Sequence, residues 1–411
     1  MNLLIQNPDE RNLRPTSAVF KFTSLLLICL SSALVCCQVA YAQSTKTNFA
    51  GNSAVSGLLN ENNLNLSNIK MISRVTGSPL PGESPLSPNR TAEKYDVAGT
   101  DLGIFWAIDK SHVGIFFGDT NGAGFVVGEK GGGNGSNWRS NVVAYSDDTN
   151  LDDGLTINNM TVDSSGKAAE ICAGAKNNPG KYNTSIPTAA IRVGGVDYVH
   201  YMNIYEWAGQ NGRWLTNFSS IYASSDNGKT WLRKKEVTFK PDSKFSQISY
   251  AVRGSFVYMV GTLAGRGSAA YLARIGKKDM LNVSNYEYWD GVSKTWVKNN
   301  EDAATPIIEG PVGETSLIYH EKYKRWIIAY SYDSAYEKNP KEKFHAIVYR
   351  DAKALNGVWS DLKILATEST YAGLYSPYFH PLKNKGDKLY FTMSMWKPYN
   401  VYLMSADIRL N

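Results

Sequence analysis

Ala98-Gly99-Thr100-Asp101-Leu102-Gly103-Ile104-Phe105-Trp106-Ala107-Ile108-Asp109-Lys110-Ser111-His112-Val113-Gly114-Ile115-Phe116-Phe117-Gly118-Asp119-Thr120-Asn121-Gly122 sets two apolar, aromatic runs about a polar centre. Residues 102–108 and 113–118 have strand character, and Asp109-Lys110-Ser111-His112 supplies the polar turn residues of a β-hairpin. Asp101 enters the hairpin and Asp119 leaves it, symmetrically about residue 110, so the two carboxylates are expected to oppose each other across the strands. Directly opposed Cβ atoms lie about 4.5–5.5 Å apart, where like charges destabilise a sheet. A site that uses the pair tolerates this, because one ionised carboxylate raises the pKa of the other and separates an acid from a base. The plainer alternative is two aspartates that cap strand ends.

The hairpin recurs. Residues 186–192 and 196–203 flank Val193-Gly194-Gly195, residues 247–252 and 256–261 flank Arg253-Gly254-Ser255, residues 315–320 and 325–331 flank Glu321-Lys322-Tyr323-Lys324, and residues 376–380 and 388–395 flank a further turn. A third strand follows most of them. The units start about 60–85 residues apart, longer than the roughly 40–50 of familiar propeller repeats, which leaves room for loops. With 25 Tyr, 10 Trp and 35 Gly and no amphipathic helix pattern, the chain reads as all-β: a five-bladed β-propeller. Residues 69–75 are then free to add the outermost strand to the last blade and close the ring. A β-sandwich is the alternative, but it has no reason to repeat a three- or four-strand unit.

Residues 24–37 form an apolar run of signal-peptide length, and Ala40-Tyr41-Ala42 offers small residues at a cleavage site before Gln43. A lipoprotein signal at Cys36 or Cys37 lacks the small preceding residue, and the run is shorter than the roughly 20 residues of a membrane span. The expected organisation is a signal peptide at 1–42, a flexible Asn/Ser/Thr/Gly-rich leader at 43–66 and a propeller domain at 67–411, secreted, without a membrane span, as a monomer. Cys29, Cys36 and Cys37 leave with the signal, so Cys172 stands alone and no internal disulfide can form. The formal charge of +6 falls by only one on cleavage, and no Lys/Arg cluster suggests a nucleic-acid partner.

Ser224-Ser225-Asp226-Asn227-Gly228-Lys229-Thr230-Trp231 fits the Asp-box pattern S-x-D-x-G-x-T-W. Asp226 is expected to bond the backbone of its own turn, Gly228 to take the strained φ, and Trp231 to pack between blades. The pattern raises sialidases as candidates. Their Arg-Ile-Pro motif, however, is Ser185-Ile186-Pro187 here, which removes the arginine that would hold a sialic-acid carboxylate.

Gly99-Thr100-Asp101-Leu102-Gly103, Phe117-Gly118-Asp119-Thr120, Trp138-Arg139-Ser140-Asn141-Val142, Ile186-Pro187-Thr188, His200-Tyr201-Met202, Glu314-Thr315-Ser316, Trp326-Ile327-Ile328-Ala329-Tyr330 and Tyr375-Ser376-Pro377-Tyr378 together resemble another group of secreted propellers. This is domain of unknown function 4185, which includes endo-D-arabinanases of glycoside hydrolase family 183. The resemblance runs from about residue 70 to residue 408. It implies a five-bladed propeller that cleaves α-linked D-arabinofuranose chains of mycobacterial arabinogalactan and lipoarabinomannan internally, with Asp101 and Asp119 as the catalytic carboxylates. A propeller that binds cell-surface glycan without cutting it is the alternative function.

Glycoside hydrolysis needs one protonated and one ionised carboxyl group, about 5 Å apart for retention and about 6.5–9.5 Å apart for inversion. Asp101 and Asp119 supply the pair, and both outcomes stay open at this point. Glu314 holds, in the fourth unit, the place of Asp101 in the first, and is expected to accept from sugar hydroxyls or to tune the pair. Trp138, Arg139 and Asn141 follow the Gly-rich segment 131–135, a loop that could reach over the mouth, and with His200 and Tyr375 they complete the candidate substrate contacts. The glycine segment lacks the lysine and helix of a phosphate loop. The five histidines are too scattered for a zinc site, so no metal or other cofactor is expected.

Overall fold

The computed structural model describes residues 63–78, 89–176, 183–207, 210–340 and 342–411, so the expected signal peptide and most of the leader lie outside the described residues. The described chain builds five antiparallel sheets of four or more strands and one two-stranded sheet, Val126–Val127 with Gly133–Asn134. Blade 1 holds Leu102–Ala107, Val113–Phe117, Val142–Ser146 and Asn159–Met160. Blade 2 holds Thr184–Val193, Val196–Glu206, Leu215–Ser224 and Leu232–Phe239. Blade 3 starts with Gln247–Arg253, Phe256–Thr262 and Ser268–Gly276, whose free edge takes both Glu287–Asp290 and Pro306–Val312. Blade 4 holds Thr315–His320, Arg325–Asp333, His345–Ala352 and Lys363–Thr367. Blade 5 holds Leu374–Phe379, Lys388–Met395 and Asn400–Leu410, with Leu64–Arg74 outermost.

The first strand of each blade touches the first strands of both neighbouring blades, and that of blade 5 returns to blade 1. These five inner strands surround the axis of a five-bladed β-propeller. Side-chain alternation explains why they read as unbroken apolar runs: each face packs on a different neighbour. In blade 1, Ile104 and Trp106 join the cluster shared with blade 2, whereas Phe105 joins the cluster shared with blade 5. Blade 4 repeats the rule, with Leu317 and Ile328 toward blade 3 and Ile318 and Ile327 toward blade 5. Cys172 is a buried free thiol between blades 1 and 2.

Local chemistry sets the turns. Asp109 Oδ1 accepts from the backbone N–H of Ser111 and of His112, each at 2.8 Å, which folds the first hairpin. In the Asp-box, Asp226 accepts from Thr230 N–H at 2.9 Å and from its hydroxyl at 2.6 Å, while Gly228 sits at φ +80°. Trp231 reaches across to blade 1 and meets Trp106 and Phe116 edge-on, at 6.1 and 5.2 Å between ring centroids.

Two expectations need correction. Register in blade 1 runs Ile104↔Phe116 through Ala107↔Val113, but a bulge shifts it so that Leu102 faces Phe117. Asp101 therefore lies against Gly118, whose N–H donates to the Asp101 carbonyl at 3.1 Å, and not directly opposite Asp119. The cause is Leu102-Gly103, both at positive φ (72° and 90°), which inserts one extra residue. The strand expected at 69–75 runs over Leu64–Arg74, pairing from Leu64↔Leu410 to Arg74↔Tyr402, so the last three residues of the expected leader belong to blade 5.

Trp231→Ala removes two edge-on aromatic contacts between blades 1 and 2, worth about 0.5–1.5 kcal/mol each. It should lower unfolding stability by about 1–3 kcal/mol. Urea denaturation followed by circular dichroism checks this, and an unchanged midpoint would assign Trp231 to the surface.

Candidate active site

One end of the ring opens into a cavity of about 630 Å³ whose floor carries Asp101, Asp119, Gln247, Glu314 and Tyr375. Three of the five inner strands carry a bulge beside residues that line the cavity, whereas those of Gln247 and Glu314 pair in continuous register. Register shifts occur between Leu102 and Ile104 in blade 1, between Pro187 and Ala189 in blade 2, and between Tyr375 and Tyr378 in blade 5. Bulges re-aim side chains, and here they turn strand-end residues toward the axis. Leu102 at positive φ is strained for a branched side chain, at about 1–3 kcal/mol. Its N–H donates to Ser394 Oγ at 2.7 Å, and Thr392 Oγ1 donates to the Gly103 carbonyl at 2.7 Å, which holds the bulge in place.

Asp101 and Asp119 keep part of their surface open to this cavity, but their surroundings differ. Tyr375 donates its hydroxyl to Asp101 Oδ2 at 2.8 Å, and Asp101 Oδ1 is buried without a partner. Gly118 makes room for it, since a Cβ there would stand 2.3 Å from that oxygen. Burial, then the charge of Asp119, pushes the Asp101 carboxyl up to about 8, with Glu314 adding to the rise. Asp119 Oδ1 accepts from Thr184 at 2.6 Å and from the Trp138 indole N–H at 3.1 Å. Burial raises Asp119 too, but Thr184, Lys176 and Trp138 oppose the rise and it stops at about 6. At neutral pH, Asp101 holds its proton and Asp119 is ionised.

Glu314 is settled differently. Arg266 Nε approaches its two oxygens at 3.2 and 3.1 Å and Nη2 reaches Oε1 at 2.7 Å, a forked pair that, against the cost of burial, keeps the carboxyl below its ordinary value. The guanidinium lies over the rings of Trp214 and Tyr375, 5.6 and 5.2 Å from their centroids. Its loop presses onto blade 2: Arg266 N–H donates to the Gly212 carbonyl at 2.7 Å, and a Cβ on Gly265 would stand 2.1 Å from that oxygen. Aromatic rings form the walls, with Trp207 on Trp214 to one side and Trp396 on Tyr399 to the other, at 5.2 and 5.5 Å. Trp207 and Trp396 stay exposed at 41% and 45%, enough to present a face to a ligand.

Asp101, Asp119, Glu314 and Tyr375 thus meet in one cavity, and Trp138 joins them as a hydrogen-bond donor to Asp119. Three other candidates do not. Arg139 is buried, donates to the Asp96 carbonyl at 2.6 Å and lies 3.6 Å from the Asp96 carboxylate. Asn141 ties blade 1 to blade 2, donating to the carbonyls of Cys172 and Ser185 at 2.7 and 2.8 Å and accepting from Ile171 and Cys172 N–H. His200 is fully buried, bonded to Thr188 at 2.7 Å and packed on Phe239, and burial drives its pKa down to about 3. In each case the backbone position is near the site but the side chain turns into the protein. The glycine loop does reach the mouth: Gly132 N–H donates to the Trp396 carbonyl at 2.6 Å, and Gly133 lines the cavity.

Sequence reasoning missed Thr184, Arg266, Gln247 and the aromatic walls. Arg266 carried a signal, an arginine between two glycines directly after a hairpin. Gln247 carried another, as the first residue of an inner strand. Among the described residues, no cluster of His, Cys, Asp and Glu is placed to hold a metal ion, and no helix is long and apolar enough to cross a membrane.

The chain belongs to the family described as Domain of unknown function (DUF4185), whose profile matches residues 86–405. It is similar to "Notoamide biosynthesis cluster protein J" of Aspergillus sp. (strain MF297-2), 25% identical over 323 residues that cover 74% of this chain and 82% of that one. It is also similar to "Notoamide biosynthesis cluster protein J'" of Aspergillus versicolor, 23% identical over 336 residues that cover 78% of this chain and 87% of the relative. Among solved structures, a Bacteroides ovatus ATCC 8483 protein titled "putative hydrolase" superposes with a TM-score of 0.50 at 13% identity, over 76% of this chain and 86% of that one, a likeness of fold.

A carboxyl that binds its proton more tightly in the folded than in the unfolded chain stabilises the fold at acid pH, and the contribution is lost as pH rises through the folded value. For Asp101 the window runs from about 4 to about 8, with Asp119 acting in the same sense up to about 6. The melting temperature should therefore fall across this range, and Asp101→Asn should flatten the fall and melt higher at pH 8. Scanning calorimetry checks it; identical pH profiles would place Asp101 in an ordinary solvated environment.

Proposed function

We propose that this chain is a secreted, monomeric glycoside hydrolase that cleaves internal α-D-arabinofuranosyl linkages of mycobacterial-type arabinan, in arabinogalactan and lipoarabinomannan. The observation that carries the reading is the division of the carboxyl pair: Asp101 with one hydroxyl donor and a bare oxygen, Asp119 with two donors and a nearby lysine. Cleavage of a glycosidic bond calls for one carboxyl of each kind.

In this reading Asp101 gives its proton to the leaving oxygen as the bond to the anomeric carbon breaks. Asp119 acts on the opposite face of the sugar, attacking directly or taking a proton from the attacking water. Glu314, held ionised by Arg266, helps keep Asp101 protonated until substrate arrives. The exposed faces of Trp207 and Trp396 flank the carboxyls on two sides of the cavity and suit the apolar faces of neighbouring sugar units. The choice of D-arabinan rests on the resemblance of the segments around Asp101, Asp119, Trp138, Glu314 and Tyr375 to the endo-D-arabinanases.

Purified arabinogalactan incubated with the protein should release oligosaccharides. Asp101→Asn and Asp119→Asn should each lower kcat by at least about 10²–10⁴-fold, the usual worth of a positioned acid or base, without unfolding the protein. The rate should rise with pH through about 6, as Asp119 ionises, and fall through about 8, as Asp101 loses its proton. Retention of the polymer at full length, with binding intact, would favour a glycan-binding propeller instead. Substantial activity in either variant would remove that residue from the chemistry.

A further inference from the structure

Each inner strand, or the residue just before it, brings a polar side chain to the cavity: Asp101, Thr188, Gln247, Glu314 and Tyr375. Four of these have partners within the protein. Tyr375 bonds Asp101, Arg266 holds Glu314, and Thr188 is bonded to His200 at 2.7 Å and to Ile248 N–H at 3.3 Å. Gln247 does not. It is 2% exposed, it lines the cavity, and both its carboxamide oxygen and its nitrogen are buried without a hydrogen-bond partner.

A buried donor or acceptor left without a partner costs the whole desolvation of that group, and Gln247 leaves one of each. Apolar residues of the same volume would avoid the cost, as the neighbouring Ile248 does in the core. A glutamine in this place makes sense if something entering the cavity completes its bonds. What enters must accept at one point and donate at an adjacent one. Two hydroxyls on neighbouring ring carbons meet that requirement.

We propose that Gln247 is a specificity-determining residue whose carboxamide binds two adjacent hydroxyls of the sugar ring seated at Asp101 and Asp119, the oxygen accepting from one and the nitrogen donating to the other. The proposal rests on the glycoside-hydrolase reading and deepens it: the ring at the cleavage point must carry a free vicinal diol. The competing explanation is an internal water shared by Gln247 and its cross-strand partner Thr262, whose hydroxyl is also buried without a partner.

Calorimetric titration of Asp119→Asn protein with an α-D-arabinofuranosyl oligosaccharide, with and without Gln247→Met, tests it. Methionine keeps the volume and removes both polar atoms. Two lost hydrogen bonds should weaken binding by about tenfold each, roughly 100-fold together. For an analogue that lacks one hydroxyl of the pair on the ring at the cleavage point, Gln247→Met should cost only about tenfold. The unliganded Gln247→Met protein should melt no lower than its parent. Equal affinity in the two proteins, or an equal loss for both ligands, would overturn the role of Gln247. A clear drop in melting temperature without a change in affinity would assign the carboxamide to the internal water. Failure of the oligosaccharide to bind even the protein that retains Gln247 would instead overturn the arabinan reading on which the proposal stands.

Discussion

A carboxyl group taken out of water must be protonated, hydrogen-bonded or paired with a cation, and the mouth of this propeller holds three that are settled in three different ways. Asp101 is neutralised by its own proton, Asp119 is carried as an anion by two donors, and Glu314 is bound to Arg266. The arrangements depend on one another. Arg266 fixes the charge on Glu314, and that charge together with Asp119 keeps the proton on Asp101. The same guanidinium lies over the ring of Tyr375, whose hydroxyl steadies Asp101. The tuning comes from residues of blades 1, 2, 3, 4 and 5 at once, so it exists only when the ring is assembled.

The ring itself was legible in the sequence because its physics is local and repeated. Alternating apolar residues about short polar turns specify hairpins, and hairpins apolar on both faces must be sandwiched between neighbours, as Ile104 and Phe105 show by packing toward opposite blades. The Asp-box was equally readable, since Asp226, Gly228 and Thr230 build the turn from their own bonds. Asp101, Asp119, Glu314 and Tyr375 could be found for the same reason: each stands at or beside the end of a strand in the repeat.

What could not be read was direction. One extra residue at Leu102-Gly103 moves Asp101 from opposite Asp119 to opposite Gly118, and a pattern of residue types does not contain that shift. Arg139, Asn141 and His200 have the chemistry of sugar-binding residues and sit within a few positions of the site. Their side chains instead bond Asp96, the backbone of Cys172 and Ser185, and Thr188. Arg266 shows the converse. It reaches the centre from a loop whose course is set by the close approach of Gly265 to the Gly212 carbonyl, a contact between segments about 50 residues apart that no local pattern encodes.

The outermost strand of blade 5 comes from one part of the chain and its other three from another, with Leu64 beside Leu410. During synthesis, at about 5–20 residues per second, the segment around Leu64 leaves the ribosome tens of seconds before its partner exists. Over that interval it is an unpaired β-strand with Leu64, Leu66 and Met71 uncovered, the kind of segment that other chains can capture. The first strand can take its place only once Asn400–Leu410 exists, so the earliest-made strand of the fold pairs with the latest-made one.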